Sequence, residues 1–156
     1  MKEPSRSNGG PAGAVSVLSV SPIEEDHACL ERAFGKPDWT LYSKSEWTLR
    51  RSTTLESALA ELRKYQIPIV ICERDLPPDS WTNLLEQTAS LPDAPSLVVT
   101  SRLADDRLWA QALNLGAYDV LAKPFDEQEV IRTLSLAWIH WAHRGSGRTN
   151  VVARRA

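Results

Sequence analysis

Three ionisable side chains stand where apolar segments of the chain end, the position at which a buried strand would stop. Residues 67–72 are apolar and rich in branched side chains, and Glu73 and Asp75 come directly after them. Lys123 follows a second apolar segment. The carboxyl ends of parallel strands share one edge of an α/β sheet, where ligands and chemistry are found. We therefore expect Glu73 and Lys123 to contact each other there, as a carboxylate and an ammonium group do.

Alternating strand and helix patterns surround these residues and must position them. The expected strands are 14–20, 39–43, 67–72, 96–100 and 117–122. The expected helices begin after Ser21-Pro22 and end near 34, then cover about 53–65, 81–90, 106–115 and 126–143. Five strands that alternate with five helices over short loops predict a doubly wound α/β domain, in which helices cover both faces of a five-stranded parallel sheet.

Residues that satisfy free backbone groups mark several of the helix ends. A Ser, Thr or Asp side chain before a helix accepts hydrogen bonds from its first N–H groups, and a glycine after a helix adopts the left-handed conformation that ends it. The expected N-caps are Ser52 or Thr53, Ser80, Asp105, and Asp126 with Glu129 in a capping box. Gly116 is expected to end the fourth helix.

Length and composition predict one globular domain with a tail at each end. The chain has 156 residues, of which 42% are hydrophobic and 24% are charged. These values are ordinary for a soluble domain. We expect residues 1–13 to be a disordered tail, 14–143 to be the domain, and 144–156 to be a flexible basic tail with four arginines. Because the chain has neither an apolar leader nor a membrane-length apolar stretch, we expect a cytoplasmic protein without membrane contact.

The charge distribution and the missing motifs exclude several classes of function. The net charge is −2, and residues 14–143 alone carry −7, so direct nucleic-acid binding is not expected. Two cysteines, Cys29 and Cys72, are expected to be small reduced core residues. The three histidines have no metal-ligand spacing and are expected at the surface or at helix ends. With no P-loop, dinucleotide motif or nucleophile elbow, we predict no catalytic residues and no metal site.

Residues 15–141 resemble the receiver domains of bacterial two-component response regulators. The resemblance rests on the ERDLP segment at 73–77, on VVTS at 98–101, and on residues 116–125 with the sequence GAYDVLAKPF. It implies a CheY-like, flavodoxin-like (βα)5 fold with strand order 2-1-3-4-5. It also implies a function in phosphorelay signal transduction, with a histidine kinase or an output protein as partner.

The resemblance assigns a role to each matching position. In the family, two acidic residues after the first strand and an acceptor aspartate hold Mg²⁺ through hard oxygen ligands. A hydroxyl residue and a lysine then contact the attached phosphoryl group, and an aromatic side chain on the last strand swings inward on activation. The acceptor position is Glu73, the phosphoryl-contact positions are Thr100 (or Ser101) and Lys123, the switch position is Val120, and the acidic-pair positions are Ser21 and Pro22.

Three of these positions depart from the family pattern. Ser21 and Pro22 are not acidic, Glu73 is one methylene longer than aspartate, and Val120 is not aromatic. The acids at 24–26 lie too far into the first helix to replace the pair unless the strand register shifts. We therefore expect a stand-alone, degenerate receiver that has lost its Mg²⁺ site and acts independently of phosphorylation.

Two side chains leave alternative interpretations open. Glu73 either mimics the charged acceptor and holds Lys123 permanently in one signalling conformation, or it forms a plain ion pair that supports the fold. A glutamate has one negative charge where a phosphoryl group has nearly two, so the mimicry would be partial. Asp75 either accepts phosphate in place of Glu73, or it is a loop carboxylate that bonds nearby backbone amides.

Three functions from different classes follow from these alternatives. The first is a phosphorylation-independent signalling module that acts through protein–protein contacts. The second is a receiver that is phosphorylated on Asp75 or Glu73. The third is a flavodoxin-like ligand-binding protein. Against the third, the loop at Ser21-Pro22-Ile23 lacks the Gly-, Ser- and Thr-rich run that a bound phosphate requires.

The last predicted helix has more apolar residues than one face can hold. Residues 130–141 include eight apolar positions, whereas a helix on a sheet needs an apolar arc of little more than 100°. We expect the excess to form an interface for a homodimer or for a signalling partner, as receivers that resemble this chain use the same face. The interface residues would be Trp109, Tyr118, Trp138 and Trp141. The alternative is that these rings are partly buried core.

Overall fold

A computed structural model of the chain describes residues 15–35 and 46–146. It contains a five-stranded parallel sheet and a small antiparallel hairpin. The strands are β1 (Val15–Val20), β2 (Trp47–Ser52), β3 (Ile69–Glu73), β4 (Asp75–Leu76), β5 (Asp79–Ser80), β6 (Ser96–Ser101) and β7 (Asp119–Ala122). The order in the sheet is β2-β1-β3-β6-β7, and β4 pairs with β5 in the hairpin. Counted over the five sheet strands, this is the expected order 2-1-3-4-5.

Five helices cover the two faces of the sheet, as predicted. They are α1 (Glu24–Phe34), α2 (Leu55–Lys64), α3 (Trp81–Thr88), α4 (Asp106–Leu115) and α5 (Glu127–Ser146). Buried residues of α2, α3 and α4 pack on one face, and those of α1 and α5 pack on the other. Along β3, Ile69 and Ile71 belong to the second core whereas Val70 and Cys72 belong to the first. Burial on both faces explains why this strand is a continuous apolar run.

Most of the predicted helix ends are confirmed. Ser80 accepts a hydrogen bond from the N–H of Thr82, and Asp105 accepts one from Leu108. Gly116 ends α4 with φ of 105°, a conformation that favours glycine. The N-cap of α2 is Thr54, so the prediction of Ser52 or Thr53 was wrong. Ser52 is instead the buried last residue of β2, and the longer strand moves the start of the helix toward Leu55.

The second strand of the sheet was predicted in the wrong place. The predicted range 39–43 lies outside the described residues, and the sheet contains β2 at Trp47–Ser52 instead. Its sequence does not show the apolar pattern of a buried strand, because it contains two arginines. Arg50 Nε lies 2.6 Å from Glu61 Oε1, and Arg51 bonds to two glutamates of α1. Charged side chains are common on edge strands, where one side of the strand has no neighbour.

The ends of the domain are also partly revised. Helix α5 continues to Ser146, beyond the predicted end at His143, so the first residues of the predicted basic tail belong to this helix. The rest of both predicted tails lies outside the described residues. Cys72 is buried, as expected, and burial raises the pKa of its thiol. In the described part of the chain, no helix is both long and apolar enough to cross a membrane.

Candidate functional site

The candidate site lies at the carboxyl edge of the sheet, where β1, β3 and β7 end. Ser21 follows β1, Glu73 is the last residue of β3, and Lys123 follows β7. The topology therefore brings together side chains that are up to 102 positions apart in the sequence. Glu73 and Lys123 border a cleft of about 360 Å³. Its other lining residues are Pro22, Ile23, Arg74, Asp75, Pro77, Ser101, Arg102 and Leu103.

Glu73 and Lys123 form a direct ion pair at the floor of this cleft. The Lys123 Nζ atom lies 2.5 Å from Glu73 Oε1, and each side chain is only 6% exposed. The predicted contact is therefore confirmed. The second carboxylate oxygen of Glu73, Oε2, accepts a hydrogen bond of 2.7 Å from the backbone N–H of Asp75. Both oxygens of this carboxylate thus have a donor, which fixes its orientation.

Asp26 is a third member of the site. Its Oδ2 atom lies 2.9 Å from Lys123 Nζ, and its side chain is 9% exposed. The hydroxyl of Ser21 donates a hydrogen bond of 2.7 Å to the same Oδ2 atom. Lys123 therefore lies between two buried carboxylates. The side chains of Asp26, Glu73 and Lys123 are called the triad below.

The expectation that acids at 24–26 lie too far along the helix was wrong for Asp26. Side chains in a helix lean toward its N-terminus, so a residue in the first turn can reach back over the end of the preceding strand. The sequence did contain a signal for this orientation. Asp26, Leu30 and Ala33 are spaced as one helical face, and all three are buried. Glu24 and Glu25, in the same turn, are exposed.

The electrostatics of the triad favour a charged lysine. Burial by itself would lower the pKa of Lys123, but hydrogen bonds to Glu73 and Asp26, together with their negative charges, raise this pKa above its ordinary value. A buried ion pair is stable only when its remaining polar atoms also have partners. Ser21 and the N–H of Asp75 supply such partners to the two carboxylates. Losing Lys123 would leave two buried carboxylates without a counter-charge.

His27 anchors the connection that positions Asp26. It was expected at the surface or at a helix end, and it lies in the first turn of α1 but is buried. Its side chain is 1% exposed. The Nε2 atom lies 2.9 Å from the carbonyl oxygen of Ser21, and Nδ1 lies 2.8 Å from the hydroxyl of Ser19. Because a carbonyl can only accept, Nε2 carries the proton, and in the neutral ring Nδ1 accepts from Ser19. These bonds tie α1 to the end of β1.

The other predicted positions lie near the triad without joining it. Thr100 and Ser101 are buried at the end of β6, and among the described residues their hydroxyls have no hydrogen bond to the triad. Val120 is part of the core that packs under α2, α3 and α4. Asp75 is exposed and pairs with the neighbouring Arg74 at 3.2 Å. Pro22 is exposed at the cleft rim.

These residues do not fit the Mg²⁺ site of the family. Mg²⁺ requires near-octahedral oxygen ligands at about 2.0–2.1 Å and strongly prefers carboxylates that are free to coordinate it. Here the ammonium group of Lys123 lies between the two buried carboxylates. Within 15–35 and 46–146, no cluster of three or more His, Cys, Asp or Glu side chains could hold a metal ion.

The predicted interface residues differ in their exposure. Trp109 on α4 is exposed, whereas Tyr118, Trp138 and Trp141 are half-buried. The Trp138 ring stacks on that of Trp141 at 5.7 Å and packs against the core beneath α5. The excess apolar side chains of α5 are instead its exposed residues Leu136 and Ile139. On α4, Leu113 is exposed in the same way.

Comparison with known proteins agrees with this fold. The response regulator receiver domain family matches residues 38–135, which is most of the described domain, and the chain belongs to that family. The match begins after β1 and α1, the elements that contain Ser21 and Asp26. The chain is therefore a receiver domain of two-component signalling, a family whose members interact with histidine kinases and output domains.

Solved structures show the same fold at low sequence identity. The signal receiver domain of an HD domain-containing protein from Pseudomonas fluorescens Pf-5 has a TM-score of 0.73 at 23% identity, over 88% of this chain and 96% of that one. The chemotaxis response regulator CheY4 of Vibrio cholerae has a TM-score of 0.67 at 13% identity, over 80% of this chain and 98% of that one.

Two curated relatives match about half of this chain. One is a protein-glutamate methylesterase/protein-glutamine glutaminase of Desulfotalea psychrophila, which is 32% identical over 82 residues, or 51% of this chain and 22% of that protein. The other is the sensory transduction protein LytT of Bacillus anthracis, which is 31% identical over 80 residues, or 51% of this chain and 32% of that protein. The chain thus spans less than a third of the length of either relative.

Proposed function

We propose that this receiver domain signals without being phosphorylated, by protein–protein contact. The observation that supports the proposal most directly is the buried position of the Lys123 ammonium between Glu73 and Asp26. Phosphoryl transfer to a carboxylate requires a free oxygen in line with the donor and a cation to offset the developing charge. Glu73 has both oxygens engaged, by Lys123 and by the N–H of Asp75. Neither carboxylate oxygen at the acceptor position is therefore free to attack a phosphoryl donor.

The triad would hold the domain in one signalling conformation. In a phosphorylated receiver the lysine pairs with the phosphoryl group, whereas here it already has a carboxylate from β3 and another from α1. One carboxylate has about half the charge of a phosphoryl group, so two together come closer to it than Glu73 alone. This arrangement favours the interpretation that Glu73 permanently mimics a phosphorylated acceptor, over the alternative that Glu73 and Lys123 form an ion pair that only supports the fold.

The protein would then act as a binding partner and not as an enzyme, with no Mg²⁺ requirement. Its partner would be a histidine kinase or an output protein in the cytoplasm, and a homodimer is a further form of the same contact. Exposed apolar residues support a contact surface formed by α4 and α5: Trp109, Leu113, Leu136 and Ile139. The net charge of −7 over residues 14–143 argues against direct nucleic-acid binding.

Incubation with acetyl phosphate and Mg²⁺, followed by intact mass measurement, tests the proposal. We expect the mass of the wild type to be unchanged. A receiver with a conventional acceptor, treated in parallel, controls for the reagent. Addition of a phosphoryl group would contradict the proposal and favour the alternative of a phosphorylatable receiver. Asp75 is the exposed candidate in that case, so loss of the label in Asp75→Asn but not in Glu73→Gln would identify it.

A further inference from the structure

We propose that a groove beside α3 is the docking site for residues 147–156 of the same chain. The groove has a volume of about 430 Å³, and its lining residues differ from those of the cleft beside the triad. They come from α3, from the connection between α3 and β6, and from the C-terminal ends of α4 and α5. This cavity is called the α3 groove, and the lining residues that carry the argument are Leu85, Glu86, Ala89, Pro95, Leu115 and Arg144.

The α3 groove leaves apolar side chains in contact with water. Leu115, the last residue of α4, is 53% exposed. Leu85 and Ala89 add apolar surface from α3, where they are four residues apart and lie on the same side. Burial of apolar surface is favourable, and cavities of about 300–1,000 Å³ are the usual size of a binding site. The groove therefore offers space for a pair of small apolar side chains.

The segment 147–156 begins next to this groove. Helix α5 ends at Ser146, and Arg144 both lines the groove and donates a hydrogen bond to the carbonyl oxygen of Ala94. Gly147 follows the helix directly, and a glycine in this position allows the chain to change direction. The four residues 147–150 can span up to about 14 Å when extended. An occupant tethered over so short a distance has an effective concentration of about millimolar, so a weak contact is sufficient.

The chemistry of the segment matches that of the groove. Its apolar pair is Val151 and Val152, which would cover Leu115 and Leu85. The segment contains no acid, and its three arginines face a domain whose residues 14–143 carry a net charge of −7. Glu86 supplies one of these negative charges in the groove itself. The arginines of the segment are Arg148, Arg154 and Arg155.

Hydrogen exchange of the full chain, measured by mass spectrometry, tests the proposal. We expect the amides of residues 149–153 to exchange at least about tenfold more slowly than those of a free peptide with the same sequence. Ala89→Arg places a large cation at an exposed position of the groove and should abolish this protection. Gln87→Arg is the matched control, because it adds the same charge at an exposed position of α3 outside the groove lining, and it should keep the protection.

Neither substitution changes the segment, so its intrinsic exchange rates are the same in all three proteins. Exchange of residues 149–153 at the free-peptide rate in the wild type would overturn the proposal and leave the groove to another ligand. Protection that persists in Ala89→Arg would also overturn it. Protection that increases with protein concentration would do the same, because the segment of a second copy would then fill the groove. If Ala89→Arg does not fold, Leu115→Arg at the exposed end of α4 provides the same test.

Discussion

The triad and the outer surface of α4 and α5 reverse the usual distribution of polar and apolar groups. Three charged side chains are almost fully buried at the sheet edge, whereas Trp109, Leu113, Leu136 and Ile139 are exposed to solvent. Charges tolerate burial here because each has an oppositely charged or hydrogen-bonding partner. Within the described residues, no other element covers the apolar side chains and removes them from water. The comparison sets a buried, internally paired charge cluster against exposed apolar side chains.

The outer surface is organised in adjacent pairs. Trp109 and Leu113 are four residues apart on α4, and Leu136 and Ile139 are three apart on α5, so each pair lies on one side of its helix. Exposed apolar groups that cluster on a soluble protein usually mark a site of interaction. A receiver normally conveys the state of its phosphorylation site to its surface. We propose that in this chain the surface remains available for contact while the phosphorylation site is closed.

The largest effect should come from Lys123→Ala in metal-free buffer. Removing the ammonium group leaves two buried carboxylates without a counter-charge. Breaking a buried ion pair in this way lowers the free energy of unfolding by about 3–5 kcal/mol. Urea unfolding measures the loss. Adding Glu73→Gln to the same variant should restore much of the stability, because one uncompensated charge is removed. Strictly additive losses in this cycle would show that the two residues do not interact.

Trp138→Glu tests the boundary between the core and the contact surface. The ring packs against the core beneath α5, so a charge there should destabilise the domain by about 2–3 kcal/mol. Ile139→Glu is the matched control, since it is the next residue and is exposed. Thermal unfolding compares them. Equal stability of the two variants would mean that Trp138 belongs to the contact surface, as the sequence first indicated.

Asp26→Asn should cost about 1–3 kcal/mol, less than the loss of Lys123. The amide still accepts a hydrogen bond but no longer supplies a negative charge to the ammonium group. Chemical denaturation measures the effect, and Glu25→Gln on the same helical turn is an exposed control. If both variants unfold at the same denaturant concentration, Asp26 does not contribute to the triad.

Alkaline pH should lower the stability of the domain, by less than the substitutions in the triad do, because it removes the charge of Lys123. The folded-state pKa of Lys123 is raised, so its contribution is complete below the unfolded value of about 10.4 and is lost as the pH rises through the higher folded value. Stability measured from about pH 9 to 12 should therefore fall more steeply for the wild type than for Lys123→Met. Cys72 and Tyr118 also have raised pKa values, but they act equally in both proteins. Parallel curves would contradict this prediction.

Leu136→Glu should have the smallest effect on folding and a clear effect on association. Exposed substitutions usually change stability by no more than about 0.5 kcal/mol. A charge on the proposed contact surface should raise the dissociation constant of the homodimer, or of a complex with the partner kinase, at least tenfold. Sedimentation velocity measures the dimer, with Gln111→Glu on α4 as the control of equal charge. Unchanged association in Leu136→Glu would exclude this face.

Local sequence patterns determined the architecture of this domain. Apolar runs, helical spacing and the cap residues Ser80, Asp105 and Gly116 were sufficient for the (βα)5 order, and they held because each depends only on neighbouring residues. The contact of Glu73 with Lys123 was predictable for a related reason, since parallel strands must end at a common edge. The edge strand β2 was not predictable in the same way, because its arginines interrupt the apolar pattern and their partners lie on the neighbouring helices α1 and α2.

The tertiary structure selected, from candidates that the sequence contained, the third charge of the triad and the apolar side chains of α5 that stay exposed. Asp26 joins the triad because α1 begins above the end of β1 and turns this one acid of three inward, and the rotation of a helix is set by its packing. The same reason applies to α5, where the sequence contains more apolar residues than one face can bury. Packing against the sheet decides that Trp138 turns inward while Leu136 and Ile139 remain outside. The spacing of apolar residues along the chain identifies which side chains could be buried. The packing of helices against the sheet determines which of them are buried.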